Sequence, residues 1–270
     1  MGGSISRVVF SAGSIGGLTF VGAWKALEQR GLTKGITEFS GCSIGAIMAM
    51  LTSIGYTASE LEAMALELSY SDLSELQLLQ TFEHYGLDTG NEIERLLREL
   101  LFHKTGYHDM TFAQHYAITG RNLWINASCV EQDVAYYFTF TRSPDMSIIK
   151  AARMSVSLPV IMVPVKYKGL TFIDGGMHDP YPACMFPADG TLVLKVSNNH
   201  DSQTGGFVEY IGMIIRNVYR RLHINLEALL SRYKVILIKT GIGGLSLDVS
   251  RSTRRKLIKI GYKTVLKNLT

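Results

Sequence analysis

Cysteine is scarce in this chain: there are three among 270 residues, Cys42, Cys129 and Cys184. That number cannot close a disulfide framework, and no C-x-x-C spacing occurs, so neither a zinc site nor a redox pair is expected. Three reduced thiols fit a cytoplasmic protein. Proline is equally sparse, with 6 residues, and charged residues make up only 19 % against 47 % hydrophobic. That balance excludes disordered, collagen-like and low-complexity chains. No run of about 18 uncharged apolar residues is present, so no transmembrane helix is expected. A basic start leading through an apolar run to a cleavage site is missing too, so no secretory leader is expected.

Acidic residues are unevenly spread. The net charge is +4, yet residues 251–267 carry seven Lys/Arg and no Asp/Glu. A basic helix of that kind suits an anionic membrane surface, at about 1 kcal/mol per cation. A nucleic-acid partner is not expected, since Tyr262 is the sole aromatic there.

Glycine is plentiful, at 26 residues, and its placement is informative. A short strand over 6–10 runs into the turn Ser11-Ala12-Gly13-Ser14-Ile15-Gly16-Gly17 and a helix over 18–30. A second strand over 36–39 runs into Gly41-Cys42-Ser43-Ile44-Gly45 and an apolar helix over 46–53. Two successive strand–turn–helix units imply a parallel sheet covered by helices. Amphipathic helices are expected over 59–68, 71–80 and 91–103, the first capped by Ser59 with Glu62. Paired strands over 123–130 and 134–141 follow, then a helix over 146–155. Further strands are expected over 170–173, 191–196 and 235–240, with helices over 207–232 and 251–266. The organisation expected is one domain over 1–270, with a helical insertion at about 56–110.

Gly41–Gly45 is a G-x-S-x-G between a strand and a helix, the context of a nucleophile elbow. Gly41 and Gly45 permit the sharp turn, and the helix N-terminus favours charge developing near Ser43. Ala12–Gly16 nearly repeats the pattern, so Ser14 is a second candidate nucleophile. The same loop could instead present backbone N–H groups to an oxyanion or hold a phosphate. A serine nucleophile needs a base. Asp174, at a strand end in Phe172-Ile173-Asp174-Gly175-Gly176, is one candidate; a triad through His178, His200 or His223 is another. Met1-Gly2-Gly3-Ser4-Ile5-Ser6 also fits a myristoylation pattern at Gly2.

Taken together, these motifs resemble the patatin-like phospholipase family. The likeness runs from Arg7 to about Tyr262, through the glycine loop, the elbow, Ala151–Pro159 and Phe172–Gly176 with Tyr181-Pro182 after it. It implies a three-layer α/β/α sandwich with a mostly parallel sheet. It implies a Ser43–Asp174 dyad without histidine, cleaving acyl esters of phospholipids and other lipids, with no metal or other cofactor; the peripheral membrane surface is expected from the basic tail and the Gly2 pattern. It maps the oxyanion hole to Gly13, Ser14, Ile15 and Gly16, with Ile44 at the elbow. The family loop carries a basic residue where this chain has Gly16, so a cationic contribution is absent. That departure leaves a second expectation, a catalytically silent lipid-binding protein of the same fold.

Overall fold

The computed structural model describes residues 4–67, 81–199, 207–222, 224–243 and 249–269. Gly2, the helix expected over 71–80, His200 and His223 lie outside the described residues. In chain order the elements are β1 (Arg7–Phe10), α1 (Leu18–Gln29), β2 (Glu38–Gly41), α2 (Ile44–Ser53), α3 (Ala58–Glu67) and α4 (Thr81–His84). Next come β3 (Gly86–Asp88), α5 (Asn91–Thr105), α6 (Phe112–Thr119), β4 (Asn122–Cys129), β5 (Val134–Phe138) and α7 (Ile148–Ser155). Then follow β6 (Val160–Met162), β7 (Val165–Tyr167), β8 (Leu170–Asp174), β9 (Thr191–Asn199), α8 (Phe207–Leu222), α9 (Ile224–Leu229), β10 (Lys234–Gly243) and α10 (Arg251–Asn268).

The main sheet has the order β10-β9-β1-β2-β4-β8-β7, with β5 also paired to β4. From β10 to β4 the neighbours are parallel; β8, β7 and β5 add antiparallel pairs at one side. Alternation along the central strands assigns their faces. Val8 and Phe10 of β1 and Leu192 and Leu194 of β9 enter the large core, while Val9 and Val193 enter a smaller one. Both faces are therefore buried, as a parallel sheet requires. Residues of α1, α2, α7 and α10 fill the large core. The opposite face is covered more thinly, by Ala183, Phe186, Leu230 and Tyr233.

Phe10 is the centre of an aromatic group, edge-on to Phe20 at 5.3 Å and tilted against Trp24 at 6.3 Å. Truncating such a fully buried ring to alanine costs about 3–5 kcal/mol. Helices α1 and α10 cross at unusually short range. An ideal Cβ on Gly22 would lie 1.8 Å from the Ile258 carbonyl oxygen, and one on Gly261 would lie 1.9 Å from that of Thr19. Only glycine at both positions allows that approach.

Two expectations shift and one strand pair is new. The strand expected over 36–39 runs instead to Gly41, because pairing with β1 continues through Phe10↔Gly41. The cap of α3 is Thr57 with Glu60, not Ser59 with Glu62: Glu60 Oε2 accepts the Thr57 N–H at 2.9 Å and Thr57 Oγ1 accepts the Glu60 N–H at 3.3 Å. Glu62 pairs with Lys25 at 2.7 Å instead. The short parallel pair β3–β6 had no counterpart in the sequence reading.

Candidate active site

The register Phe10↔Gly41 ends β1 and β2 side by side, so the glycine loop and the elbow emerge together at the carboxyl edge of the sheet. Strand order reverses direction around β1, and in open α/β sheets that edge is where ligand crevices form.

Ser43 occupies φ 56°, ψ −128°, a backbone region costly for any residue with a Cβ. Strain of that kind is of the order of 1–3 kcal/mol and persists only where surroundings enforce it. The two flanking glycines explain the enforcement. A Cβ on Gly41 would lie 2.0 Å from the Gly45 carbonyl oxygen, and one on Gly45 would lie 2.3 Å from that of Phe10. The turn is thus folded onto itself and onto β1 with no room for side chains. The Gly45 N–H donates to the Cys42 carbonyl and the Ala46 N–H to the Ser43 carbonyl, both at 2.8 Å, while the Ser43 N–H donates to Ser155 Oγ at 2.8 Å.

Asp174 ends β8, is 3 % exposed, and is placed by the antiparallel pairing Ala127↔Asp174. Its carboxylate accepts the Gly176 N–H at 2.7 Å, and the Ser43 hydroxyl lies close enough to lower its pKa. Burial raises its pKa from 3.8 to about 6, against the opposing pull of those two donors. A Cβ on Gly176 would crowd Asp174 Oδ1 at 3.0 Å. Cys42, beside the nucleophile candidate, is fully buried; burial first, then the charges of Asp174 and Asp179, keep its thiol well above the ordinary range.

The glycine loop forms a turn of 3-10 helix, Ser14–Gly17, in which Ser14 has φ 46°. The Gly16 N–H closes this turn on the Gly13 carbonyl at 3.0 Å. Gly13, Ser14 and Ile15, at the start of the turn, and Ile44, at the start of α2, are where amides lack intrahelical acceptors. Asn198 of β9 braces the loop: its Nδ2 donates to the Gly13 carbonyl at 2.9 Å and its Oδ1 accepts from Thr240 at 2.9 Å. A Cβ on Gly16 would lie 2.3 Å from Asn198 Oδ1. The space that a basic side chain at position 16 would leave through is filled by this amide.

His178 bonds Asp133 at 3.1 Å, and among the described residues no histidine is bonded to Ser43 or Asp174. Tyr219 was not foreseen. It sits on α8, which packs against residues 175–177 and β6, and burial together with Asp174 and Cys42 raises its phenol pKa. A cavity of about 290 Å³ lies elsewhere, bounded by Tyr136, Phe138, Arg142, Tyr167 and Phe172. Among the described residues no cluster of His, Cys, Asp and Glu could hold a metal ion, and no helix is long and apolar enough to cross a membrane.

A serine on a strained strand-to-helix turn beside a buried carboxylate, at the edge of a mostly parallel sheet covered by helices, marks an α/β protein with a crevice at its carboxyl edge. Within that class the sequence is specific. The signature of the patatin-like phospholipases matches residues 8–186, and the chain belongs to that family. An uncharacterized protein of Acanthamoeba polyphaga mimivirus is 27 % identical over 278 residues, covering 97 % of this chain and 92 % of its own. A protein of Invertebrate iridescent virus 6, described as a probable lipid hydrolase, is 30 % identical over 219 residues, covering 80 % of this chain and 72 % of its own. Among solved structures, VipD from Legionella pneumophila aligns with a TM-score of 0.63 at 15 % identity, over 98 % of this chain and 67 % of that one. The type III effector ExoU aligns with a TM-score of 0.61 at 16 % identity. This chain spans 53 % of ExoU's length. At such identities the likeness is one of fold. Family membership and the viral relative support lipid hydrolysis as the general activity.

Proposed function

We propose that the protein is a serine acyl-ester hydrolase acting on phospholipids or related lipids, with Ser43 as nucleophile and Asp174 as its base. The observation that carries this reading is the placement of Ser43, on a strained strand-to-helix turn, beside a buried carboxylate that burial raises to a pKa of about 6. A carboxyl group so poised is ionised at neutral pH yet basic enough to take a proton.

Asp174 accepts the Ser43 proton as Oγ attacks the acyl carbonyl carbon. The oxyanion is met by amides of Gly13, Ser14 and Ile15 and by that of Ile44. Each such donor is worth about 3–4 kcal/mol. Gly16 closes the loop rather than donating. As the tetrahedral adduct collapses, the ester C–O bond breaks and Asp174 returns the proton to the departing alcohol. Water then attacks the acyl-enzyme while Asp174 takes its proton, and as the fatty acid leaves Asp174 passes that proton back to Ser43 Oγ.

The substrate surface is a membrane. Arg255, Lys256, Lys259, Lys263 and Lys267 form an exposed stripe on α10. Tyr210, Ile214 and Val218 are exposed at one-turn spacing on α8, the helix that covers the site. The first group suits anionic headgroups and the second the acyl boundary.

Ser43→Ala abolishes both hydrolysis of a short acyl ester and labelling by a fluorophosphonate; a normal rate in that variant refutes the assignment. Ser14→Ala, run in parallel, retains activity. The altered glycine loop favours one alternative, a silent lipid-binding protein, and an unlabelled wild-type Ser43 selects it.

A further inference from the structure

Hydrogen bonds at the site converge on one stretch, the end of α7 and the turn after it. Ser155 is 0 % exposed, and its Oγ accepts the Ser43 N–H at 2.8 Å. Two residues on, the Ser157 carbonyl accepts the Asp174 N–H at 2.8 Å. One five-residue segment therefore grips the backbone of both Ser43 and Asp174, which arrive from strands on either side of β4.

That segment is itself clamped. Arg153 is 4 % exposed. Its Nη1 donates to Ser157 Oγ at 2.6 Å, and its Nη2 donates to the Thr89 and Val163 carbonyls at 2.5 and 2.9 Å. Ser157 Oγ in turn donates to the Arg153 carbonyl at 2.8 Å. Gly90 makes room for the guanidinium, since a Cβ there would lie 2.2 Å from Nε. A fork of fixed donors on backbone carbonyls holds direction as well as distance. This cation is spent on the scaffold.

The Ser43 amide precedes the first turn of α2 and has no intrahelical acceptor. Ser155 is the group that satisfies it, and it does so in the strained conformation that aims Oγ at Asp174. We infer that residues 153–157 form a jig setting the separation of Ser43 and Asp174, with Ser155 the positioning residue that acts through the elbow backbone. This rests on the serine-hydrolase reading. Ser155 does not touch substrate, so its loss alters the reactivity of Ser43 and leaves substrate binding intact. Misplacing a reacting group by about 1 Å costs on the order of a hundredfold in rate.

The test compares wild type, Ser43→Ala, Ser155→Ala, Ser155→Thr and Ser155→Cys on a short soluble acyl ester and in fluorophosphonate labelling. Ser155→Ala is expected to lower kcat and the labelling rate about ten- to a hundredfold at unchanged KM. It is also expected to move the acidic inflection of the pH profile upward, because the Ser43 hydroxyl, which lowers the Asp174 pKa, is displaced. Ser155→Thr, which keeps the hydroxyl, restores most of the rate. A wild-type kcat and an unmoved inflection in Ser155→Ala overturn the inference while leaving Ser43 and Asp174 in place. If Ser155→Ala does not fold, Ser155→Cys with its weaker acceptor decides: an intermediate rate supports the jig, and a wild-type rate overturns it. A wild type that neither hydrolyses nor labels removes the serine-hydrolase reading and this inference with it.

Discussion

Replacing Asp174 by asparagine separates two effects of one buried carboxyl group, and they run in opposite directions. Asparagine has nearly the same shape and its Oδ1 can still accept the Gly176 N–H, so the turn at residues 174–176 stays closed. The wild-type carboxyl has its pKa raised from 3.8 to about 6, chiefly by burial. Below about pH 4 it is neutral in both folded and unfolded chains and carries no penalty. As pH rises through about 4 to 6, the unfolded chain ionises while the folded one resists, and folding stability falls. The displacement corresponds to a loss of about 3 kcal/mol by neutral pH. Asp174→Asn has no such titration. Urea denaturation of the two proteins should therefore diverge with pH, the variant gaining on wild type by up to about 3 kcal/mol between pH 4 and 7. Activity follows the opposite course. As the proposed base, Asp174 works only when ionised, so wild-type kcat/KM on a short ester should fall about tenfold per pH unit below about 6, and the variant should be inactive throughout. A stability difference that does not change with pH would refute the burial argument. A rate profile inflecting near pH 7 and lost in His178→Ala would refute the dyad.

Other perturbations follow from the same geometry. Gly16→Arg, which restores the family's cation in the loop, should lower activity on a short ester rather than raise it, because its Cβ meets Asn198 Oδ1 at 2.3 Å and displaces the amide that braces Gly13. Restored or increased kcat would show that the loop tolerates the shift. Gly22→Ala should cost about 1–3 kcal/mol, read as a lowered thermal midpoint, since its Cβ meets a backbone oxygen at 1.8 Å. Reversing Lys256, Lys259 and Lys263 to glutamate should reduce flotation with anionic vesicles and leave soluble-ester hydrolysis unchanged; equal flotation would detach α10 from membrane contact.

Much of the fold is legible because local signals and tertiary demands agree. The two strand–turn–helix units, the hairpin of β4 and β5, and the basic α10 each have a period or a turn that the sequence displays. Misplaced boundaries have a common cause. Pairing with β1 carries β2 to Gly41, past residues with little intrinsic strand preference. Thr57 rather than Ser59 caps α3 because the chain leaves α2 at Gly55, and Glu60 is then within reach. Short strands such as β3 have no alternation to read. Ser43 and Asp174 could be singled out, since glycines mark both. Ser155, Asn198 and Tyr219 could not. Their roles come from contacts across more than 100 residues of chain, as in the pairs Ser43–Ser155 and Gly13–Asn198, and nothing local to them announces that.

The family signature stops at residue 186, yet β9 begins at Thr191 and lies directly against β1. Any cut drawn at the end of the signature would leave Val8 and Phe10 on an open sheet margin. It would also remove Asn198 from behind the glycine loop and take away α10, the surface on which α1 rests. The last third of the chain is thus no appendage to a finished catalytic unit. It is one wall of that unit, and fragments prepared for study have to retain it.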